Sequence, residues 1–257
     1  MREPAALRPD ILDSAITPSA AAELWGGAPE SVEHVSTGAS FTYRSRSGER
    51  RLYLRLTPPG WQDRPSLRGE TTLIEALHAA GISVSRPVAS RAGAFIEPVM
   101  DRGNEFLAMA FEEAPGRHVP VREWDETRTR RFGRLMAEAH AAAPHSLPPG
   151  QERPSFEHDL ALNRKWLPAS ETVGHAFLDH ADRLSRSLPR TADVFGLVHY
   201  DLCEDNMLWS DGEPTLIDFD DCMFTWFAAD TARALGSLLN ADLSRYHEMV
   251  KWWLDGY

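Results

Sequence analysis

One stretch near the C-terminal end of the chain combines residue types that suit phosphoryl transfer. His199, Asp201 and Asn206 stand in H-x-D-x-x-x-x-N spacing, in a polar loop between apolar residues. After a short polar turn, a second apolar segment ends at Asp218. A carboxylate can take a proton from a hydroxyl group, and Asn and Asp oxygens are ligands that Mg²⁺ prefers. The pattern therefore predicts Asp201 as a base and Asn206 and Asp218 as metal ligands.

A β-hairpin would bring the two parts of this motif together. Residues 206–209 and 214–217 are apolar segments on either side of a Ser-Asp-Gly-Glu sequence, which is typical of a tight turn. Pairing of the two segments predicts that Asn206 and Asp218 meet at one end of the hairpin. The alternative is that Asp201 and Asn206 are ordinary loop residues that bond their own backbone.

The composition predicts a globular chain with a sizeable core. Its 257 residues are 42% hydrophobic and 25% charged, and the net charge of −11 argues against nucleic acid or an anionic membrane as partner. Residues 1–13 lack the apolar region of a secretion signal, and no run of 18 apolar residues occurs. Two cysteines without C-x-x-C spacing fit a reducing compartment. We therefore expect a cytoplasmic protein.

The N-terminal part of the chain is predicted to form an antiparallel sheet and one main helix. In the third strand, alternating leucines face one side, which puts Arg55 on the other. Glu70 falls on or beside the apolar face of the helix, so it either pairs with Arg55 or favours the positive end of the helix dipole. The strands are predicted at residues 32–37, 41–46, 51–56, 94–99 and 105–111, and the helix at 66–80.

A break at residues 112–116 separates this part from a mostly helical remainder, so we place two lobes at 1–112 and 113–257. His140 is expected to be a satisfied core or interface histidine rather than a catalyst. The last residues, 251–257, resemble a helix that is cut off, which predicts a C-terminal lobe truncated at its end. The helices are predicted at about residues 125–142, 156–166, 171–188 and 228–240.

Nearly the whole chain resembles the aminoglycoside phosphotransferase and choline kinase-like family. The resemblance is strongest at residues 198–208 and 216–221, and segments 133–140 and 226–232 are also similar. It implies an α+β, two-lobed protein-kinase-like fold. The N-terminal lobe would contain a small antiparallel sheet with one main helix, and the larger C-terminal lobe would be mostly helical.

The resemblance also implies an activity, with ATP and Mg²⁺ as cofactors. The γ-phosphoryl group would move to a hydroxyl of a small molecule, such as an aminoglycoside-, choline- or homoserine-like acceptor. Acidic residues such as Glu152, Glu157 and Asp159 either line a pocket for a cationic acceptor or are solvated surface. The resemblance also implies that His199 and Asp230 support the catalytic loop. The residues that it implies to contact the nucleotide are Ser40, Arg55, Glu70, Phe111 and Glu112.

Some residues depart from the family pattern. Arg55 stands where kinases carry a lysine, although a guanidinium can also bind phosphate. Tyr200 replaces the small residue that is more usual after the histidine, and the turn at residues 37–41 has a single glycine. Two rival functions stay open, a protein Ser/Thr kinase of the same family and a non-catalytic nucleotide-binding pseudokinase. The sequence does not decide which acceptor is used, whether ATP or GTP is the donor, or whether the protein is a monomer or a homodimer.

Overall fold

The computed structural model describes residues 16–241 and 243–257, so the predicted absence of a secretion signal at residues 1–13 lies outside the described residues. The fold is α+β. Its helices are α1 (Ile16–Leu24), α2 (Arg64–Ala79), α3 (Glu126–Ala142), α4 (Phe156–Trp166), α5 (Thr172–Ser187), α6 (Phe227–Ala241) and α7 (Tyr246–Gly256). Its strands are β1 (Glu33–Thr37), β2 (Phe41–Ser47), β3 (Arg50–Thr57), β4 (Pro87–Val88), β5 (Glu97–Asp101), β6 (Asn104–Glu112), β7 (Phe195–Val198), β8 (Met207–Ser210), β9 (Glu213–Leu216) and β10 (Met223–Trp226).

The N-terminal strands form one antiparallel sheet in the order β1-β2-β3-β6-β4, and β5 also pairs with β6. On β3 the leucines are buried on one face and Arg55 is buried on the other, as the alternation predicts. The strand expected at residues 94–99 begins only at Glu97. Ser90 and Ala94 close a turn in front of it through their backbone groups and the Ser90 hydroxyl, so these residues are not available for pairing.

Helix α2 begins two residues earlier than predicted because Asp63 caps it. The Asp63 carboxylate accepts from the Ser66 N–H at 3.0 Å, and Pro65 lies in the first turn, where its missing N–H costs nothing. Glu70 is fully buried in the second turn, and the first turn holds no acidic residue. The helix-dipole explanation for Glu70 is therefore wrong.

Helices α3 and α7 approach so closely that their backbones nearly touch. A Cβ at Gly133 would overlap the carbonyl oxygen of Trp253, and one at Gly256 would overlap that of Arg130. The Trp253 ring is fully buried and lies edge-on to Phe132, with centroids 6.4 Å apart. The apolar C-terminal residues that the sequence left without a partner thus pack on α3.

One buried apolar cluster joins helix α2 to the helical part of the chain, while the leucines of β3 belong to a separate cluster. Leu73 and Ile74 of α2 belong to the same buried cluster as Phe132 of α3 and Leu216 of β9. This packing fixes α2 against the hairpin that carries the predicted metal ligands. Among the described residues, no helix combines the length and the apolar character that crossing a membrane requires.

The glycine contact between α3 and α7 gives a prediction about stability. We expect Gly133→Ala to lower the free energy of unfolding by about 2 kcal/mol or more, because the two helices must separate to admit the methyl group. Gly236→Ala in α6 is the matched control, since its Cβ would meet open space, and it should raise stability by ~0.5–1 kcal/mol. Urea denaturation measures both. Equal effects would contradict the close helix approach.

Candidate active site

The loop after β7 is held in place by two side chains. His199 donates from Nε2 to the Ile217 carbonyl at 3.0 Å and accepts at Nδ1 from the Asp201 N–H at 3.3 Å. Asp230 of α6 accepts from the Tyr200 N–H at 2.9 Å. Tyr200 has a φ of +66°, a conformation that side chains other than glycine rarely adopt. His199 and Asp230 thus make the contacts that a role in supporting this loop would require.

Asn206 orients Asp201. Its Nδ2 donates to the Asp201 carbonyl at 2.8 Å and to Oδ2 of the carboxylate at 2.9 Å, which leaves the amide oxygen available to a cation. The Asn206 carbonyl accepts from the Ile217 N–H at 3.1 Å, so Asp218 follows one residue beyond. Strands β8 and β9 pair as predicted, through a turn at Asp211 and Gly212 with positive φ at both residues. The hairpin prediction is confirmed.

An acidic loop follows the hairpin. Burial and the neighbouring Asp218 raise the pKa of Asp220 to about 7, and burial also raises the pKa of Asp218, against the pull of Arg55. Asp218 has a φ of +60° and lies in a cleft where about half of its side chain meets solvent but protein closely surrounds it. Burial disfavours the charged form of both carboxylates in spite of Arg55, so a divalent cation fits here. Asp220 was not a predicted ligand, although its D-x-D spacing from Asp218 is a usable signal.

Arg55 and Glu70 form a buried ion pair beside this loop. Nη2 of Arg55 lies 2.6 Å from Oε2 of Glu70, and the side chains are 7% and 0% exposed. The predicted pairing is confirmed. Nη1 of Arg55 is 4.0 Å from Oδ1 of Asp218, and the guanidinium lies 5.0 Å from the centroid of the Phe111 ring. Arg55 Nε and Glu70 Oε1 are buried without a partner, so the pair has hydrogen-bonding capacity left for a further group.

Two residues predicted to contact the nucleotide already bond to neighbouring chain segments. Ser40 is buried, and its hydroxyl lies 3.5 Å from that of Thr57 on β3. The Glu112 N–H donates to the Arg86 carbonyl at 2.9 Å, and the Glu112 carbonyl accepts from the Ser85 hydroxyl at 2.6 Å. The structure therefore brings Arg55, Glu70 and Phe111 together with Asp218, whereas the polar groups of Ser40 and Glu112 bond to neighbouring chain segments.

A cavity of about 510 Å³ adjoins the acidic loop. Gln62 and Arg153 line it, and both donate to the carbonyl oxygen of Asp220. The cavity is also lined by Trp61, Asp63, Glu152 and His158. Of the acidic residues considered for a pocket, Glu152 lines this cavity, while Glu157 pairs with Arg190. Arg153 was missed because its contact with Asp220 spans 67 residues.

Arg233 is a second side chain that the sequence analysis missed. Its Nη2 lies 2.7 Å from Oδ1 of Asp201, and its guanidinium lies 4.7 Å from the centroid of the Tyr200 ring. Arg233 follows Asp230 by three residues on α6 and so shares its side of the helix. That spacing could have indicated a second contact between α6 and the loop.

The raised pKa of Asp220 predicts a pH-dependent cost to folding. The folded protein keeps this carboxyl protonated up to about pH 7, whereas an unfolded aspartate ionises near pH ~3.9, so stability falls as pH rises between these values. In EDTA, we expect Asp220→Asn to raise Tm by ~2–5 °C at pH 8 and to change it little at pH ~4. Asp211→Asn in the exposed hairpin turn controls for loss of a carboxylate. A lower Tm for Asp220→Asn at pH 8 would contradict this charge environment.

Comparison with known proteins agrees with this geometry. The model of the phosphotransferase enzyme family matches residues 31–254. Amicoumacin kinase of Bacillus subtilis (strain 168) is 29% identical over 223 residues, which are 85% of this chain and 66% of that protein. The chain thus spans just under two thirds of the length of this curated relative.

Two solved structures have the same fold. An amicoumacin kinase in complex with AMP-PNP, Ca²⁺ and Ami superposes with a TM-score of 0.88 at 27% identity, over 95% of this chain and 77% of that one. A microcompartment-associated aminopropanol kinase gives a TM-score of 0.73 at 26% identity, over 93% of this chain and 78% of that one. The α+β kinase-like fold is therefore confirmed. Since the family model matches nearly the whole chain, this protein belongs to the phosphotransferase enzyme family.

Proposed function

We propose that this protein transfers the γ-phosphoryl group of ATP to a hydroxyl of a small molecule, in the presence of Mg²⁺. The observation that carries the proposal is the arrangement of Asp201, Asn206 and Asp218. Asn206 holds the Asp201 carboxylate through its amide nitrogen, and its carbonyl accepts from the Ile217 N–H, so Asp218 follows one residue beyond that contact. This arrangement would bring a base and two cation ligands together at one end of the hairpin, as phosphoryl transfer requires.

Asp201 would accept the proton of the attacking hydroxyl and direct that oxygen towards the phosphorus. Asn206 and Asp218 would hold the cation, with Asp220 as a further carboxylate beside them. The bound cation supplies positive charge that offsets the charge on the phosphoryl oxygens. The two raised aspartate pKa values support this assignment, because burial disfavours the charged carboxylates and a bound cation would offset that cost.

The nucleotide would lie between the sheet and the helical part, which we place in lobes 1–112 and 113–257. Arg55 is held by Glu70 and turned towards Asp218, which suits contact with phosphate oxygens. Phe111 would flank the adenine. The Ser40 hydroxyl and the Glu112 N–H and carbonyl already have partners. At both positions, neighbouring backbone groups would therefore make the contact with the nucleotide. AMP-PNP in the similar kinase supports ATP as the donor.

The cavity beside Asp220 suits an acceptor that carries an amine as well as a hydroxyl. Asp63 and Glu152 supply carboxylates and Trp61 an aromatic side chain, and such groups bind a cationic amine. A similar structure is an aminopropanol kinase, whose named substrate is an amino alcohol. We place this activity in the cytoplasm, where ATP is available.

Nucleotide titration gives the first test. We expect AMP-PNP to bind the wild type at least ~10-fold more tightly with Mg²⁺ than without it, because the cation joins the phosphates to Asn206 and Asp218. Asp218→Ala should abolish that difference, whereas Asp211→Asn should keep it. Isothermal titration calorimetry measures the affinity of each of the three proteins with and without Mg²⁺. A wild type that binds no nucleotide would refute the proposed site.

Turnover gives the second test. Asp201→Asn keeps the size of the side chain but removes the base, so we expect turnover to fall by at least ~10²-fold while AMP-PNP affinity stays within about twofold. Labelled ATP is offered with aminopropanol, amicoumacin and spectinomycin as acceptors. Label on the protein itself would favour the protein-kinase alternative. Nucleotide binding without any ATP consumption would favour the pseudokinase alternative.

A further inference from the structure

We infer that Tyr200 and Arg233 form a positioning pair that holds Asp201 in its reactive orientation. The inference rests on the proposed function. Three contacts carry it: the Arg233 guanidinium bonds Asp201, it lies over the Tyr200 ring, and the Tyr200 N–H is held by Asp230. Asp230 and Arg233 are both on α6, so this one helix fixes the backbone of the loop and the carboxylate that the loop presents.

The strain at Tyr200 argues that its side chain has a use. A φ of +66° is unfavourable for a residue with a Cβ, and glycine or asparagine adopts it at lower cost. A small residue would therefore suit the backbone better at this position. The tyrosine ring instead supports the Arg233 guanidinium at 4.7 Å, a cation–π contact that limits the orientations of a long side chain. The departure from the family pattern at Tyr200 is thereby explained.

The Asp201 carboxylate is held at both oxygens. Asn206 donates to Oδ2 at 2.9 Å, and Arg233 donates to Oδ1 at 2.7 Å. With both contacts made, rotation about the Cβ–Cγ bond breaks at least one hydrogen bond, so the remaining lone pairs keep fixed directions. An acceptor hydroxyl needs such a fixed oxygen, because proton transfer depends on a short, aligned hydrogen bond.

The exposure of the contact argues for positioning rather than stability. The side chains of Arg233 and Asp201 are 46% and 36% exposed, and ion pairs exposed to this degree contribute little to the free energy of unfolding. The same exposure leaves Oδ1 accessible to an incoming hydroxyl. Removal of Arg233 should therefore change turnover while the fold and nucleotide binding stay the same.

The test uses the full chain and the hydrolysis of Mg–ATP, with water as acceptor. We expect Arg233→Ala to lower kcat about 10-fold with KM for ATP within twofold of the wild-type value. Arg233→Lys should restore part of the loss, as should added guanidinium with Arg233→Ala. Tyr200→Ala should reproduce the loss, and Tyr200→Phe should retain more of the wild-type turnover than Tyr200→Ala because the ring remains. The double alanine variant should be no slower than either single alanine variant, because each single change already disrupts the same pair.

Arg128→Ala is the matched control, because Arg128 lies over Trp209 at 5.2 Å and outside the candidate site. It should keep wild-type kcat and should not respond to guanidinium. A wild type without turnover would overturn the proposed function and the inference with it. An active wild type whose kcat is unchanged by Arg233→Ala would overturn the inference alone. A loss in Arg233→Ala accompanied by a Tm drop of several degrees, without rescue by guanidinium, would show a structural role and also overturn it.

Discussion

The buried carboxylate of Asp230 is the contact on which the candidate site depends. It is 2% exposed, and a charge in that position is tolerated only when its oxygens are bonded. Oδ1 accepts from the Tyr200 N–H, and Oδ2 accepts from His140 at 2.9 Å. His140 in turn bonds the Tyr257 hydroxyl and stacks on Phe227, so it is the satisfied core histidine that the sequence indicated. Through these contacts α3, α6 and α7 together fix the backbone of the catalytic loop.

This support explains how the site can hold unfavourable local features. Tyr200 and Asp218 both have positive φ, and Asp220 carries a raised pKa because its charge is buried beside another carboxylate. Each feature opposes folding, and each persists only if surrounding contacts determine the conformation. Those contacts come from distant elements, since Gln62 and Arg153 both bond the Asp220 carbonyl. Tyr200, Asp218 and Asp220 all lie at the candidate site, where cation, phosphate and hydroxyl would meet.

Features set by local chemistry could be predicted from the sequence. Alternation on β3 put Arg55 on the face opposite the leucines, periodicity on α2 put Glu70 inward, and the Asp-Gly turn fixed the hairpin register. These signals indicated the sheet, the main helix and the hairpin, whereas the two-lobed fold was implied by the resemblance to a known family. Element ends were less accurate where a cap decided them, as with Asp63 at the start of α2.

Sequence reasoning missed the contacts between side chains that are far apart in the chain. Arg233 reaches Asp201 across 32 residues, and no local pattern of charge or hydropathy indicates which carboxylate a half-exposed arginine will bond. The cavity beside Asp220 also depends on segments that are far apart in the chain, because residues after β3 and residues before α4 both line it. Both features lie on the side of the site where we propose that the acceptor binds. The nucleotide side is built from one sheet and one helix whose periodicity is visible in the sequence, whereas the acceptor side depends on how separate loops meet, which only the folded chain determines.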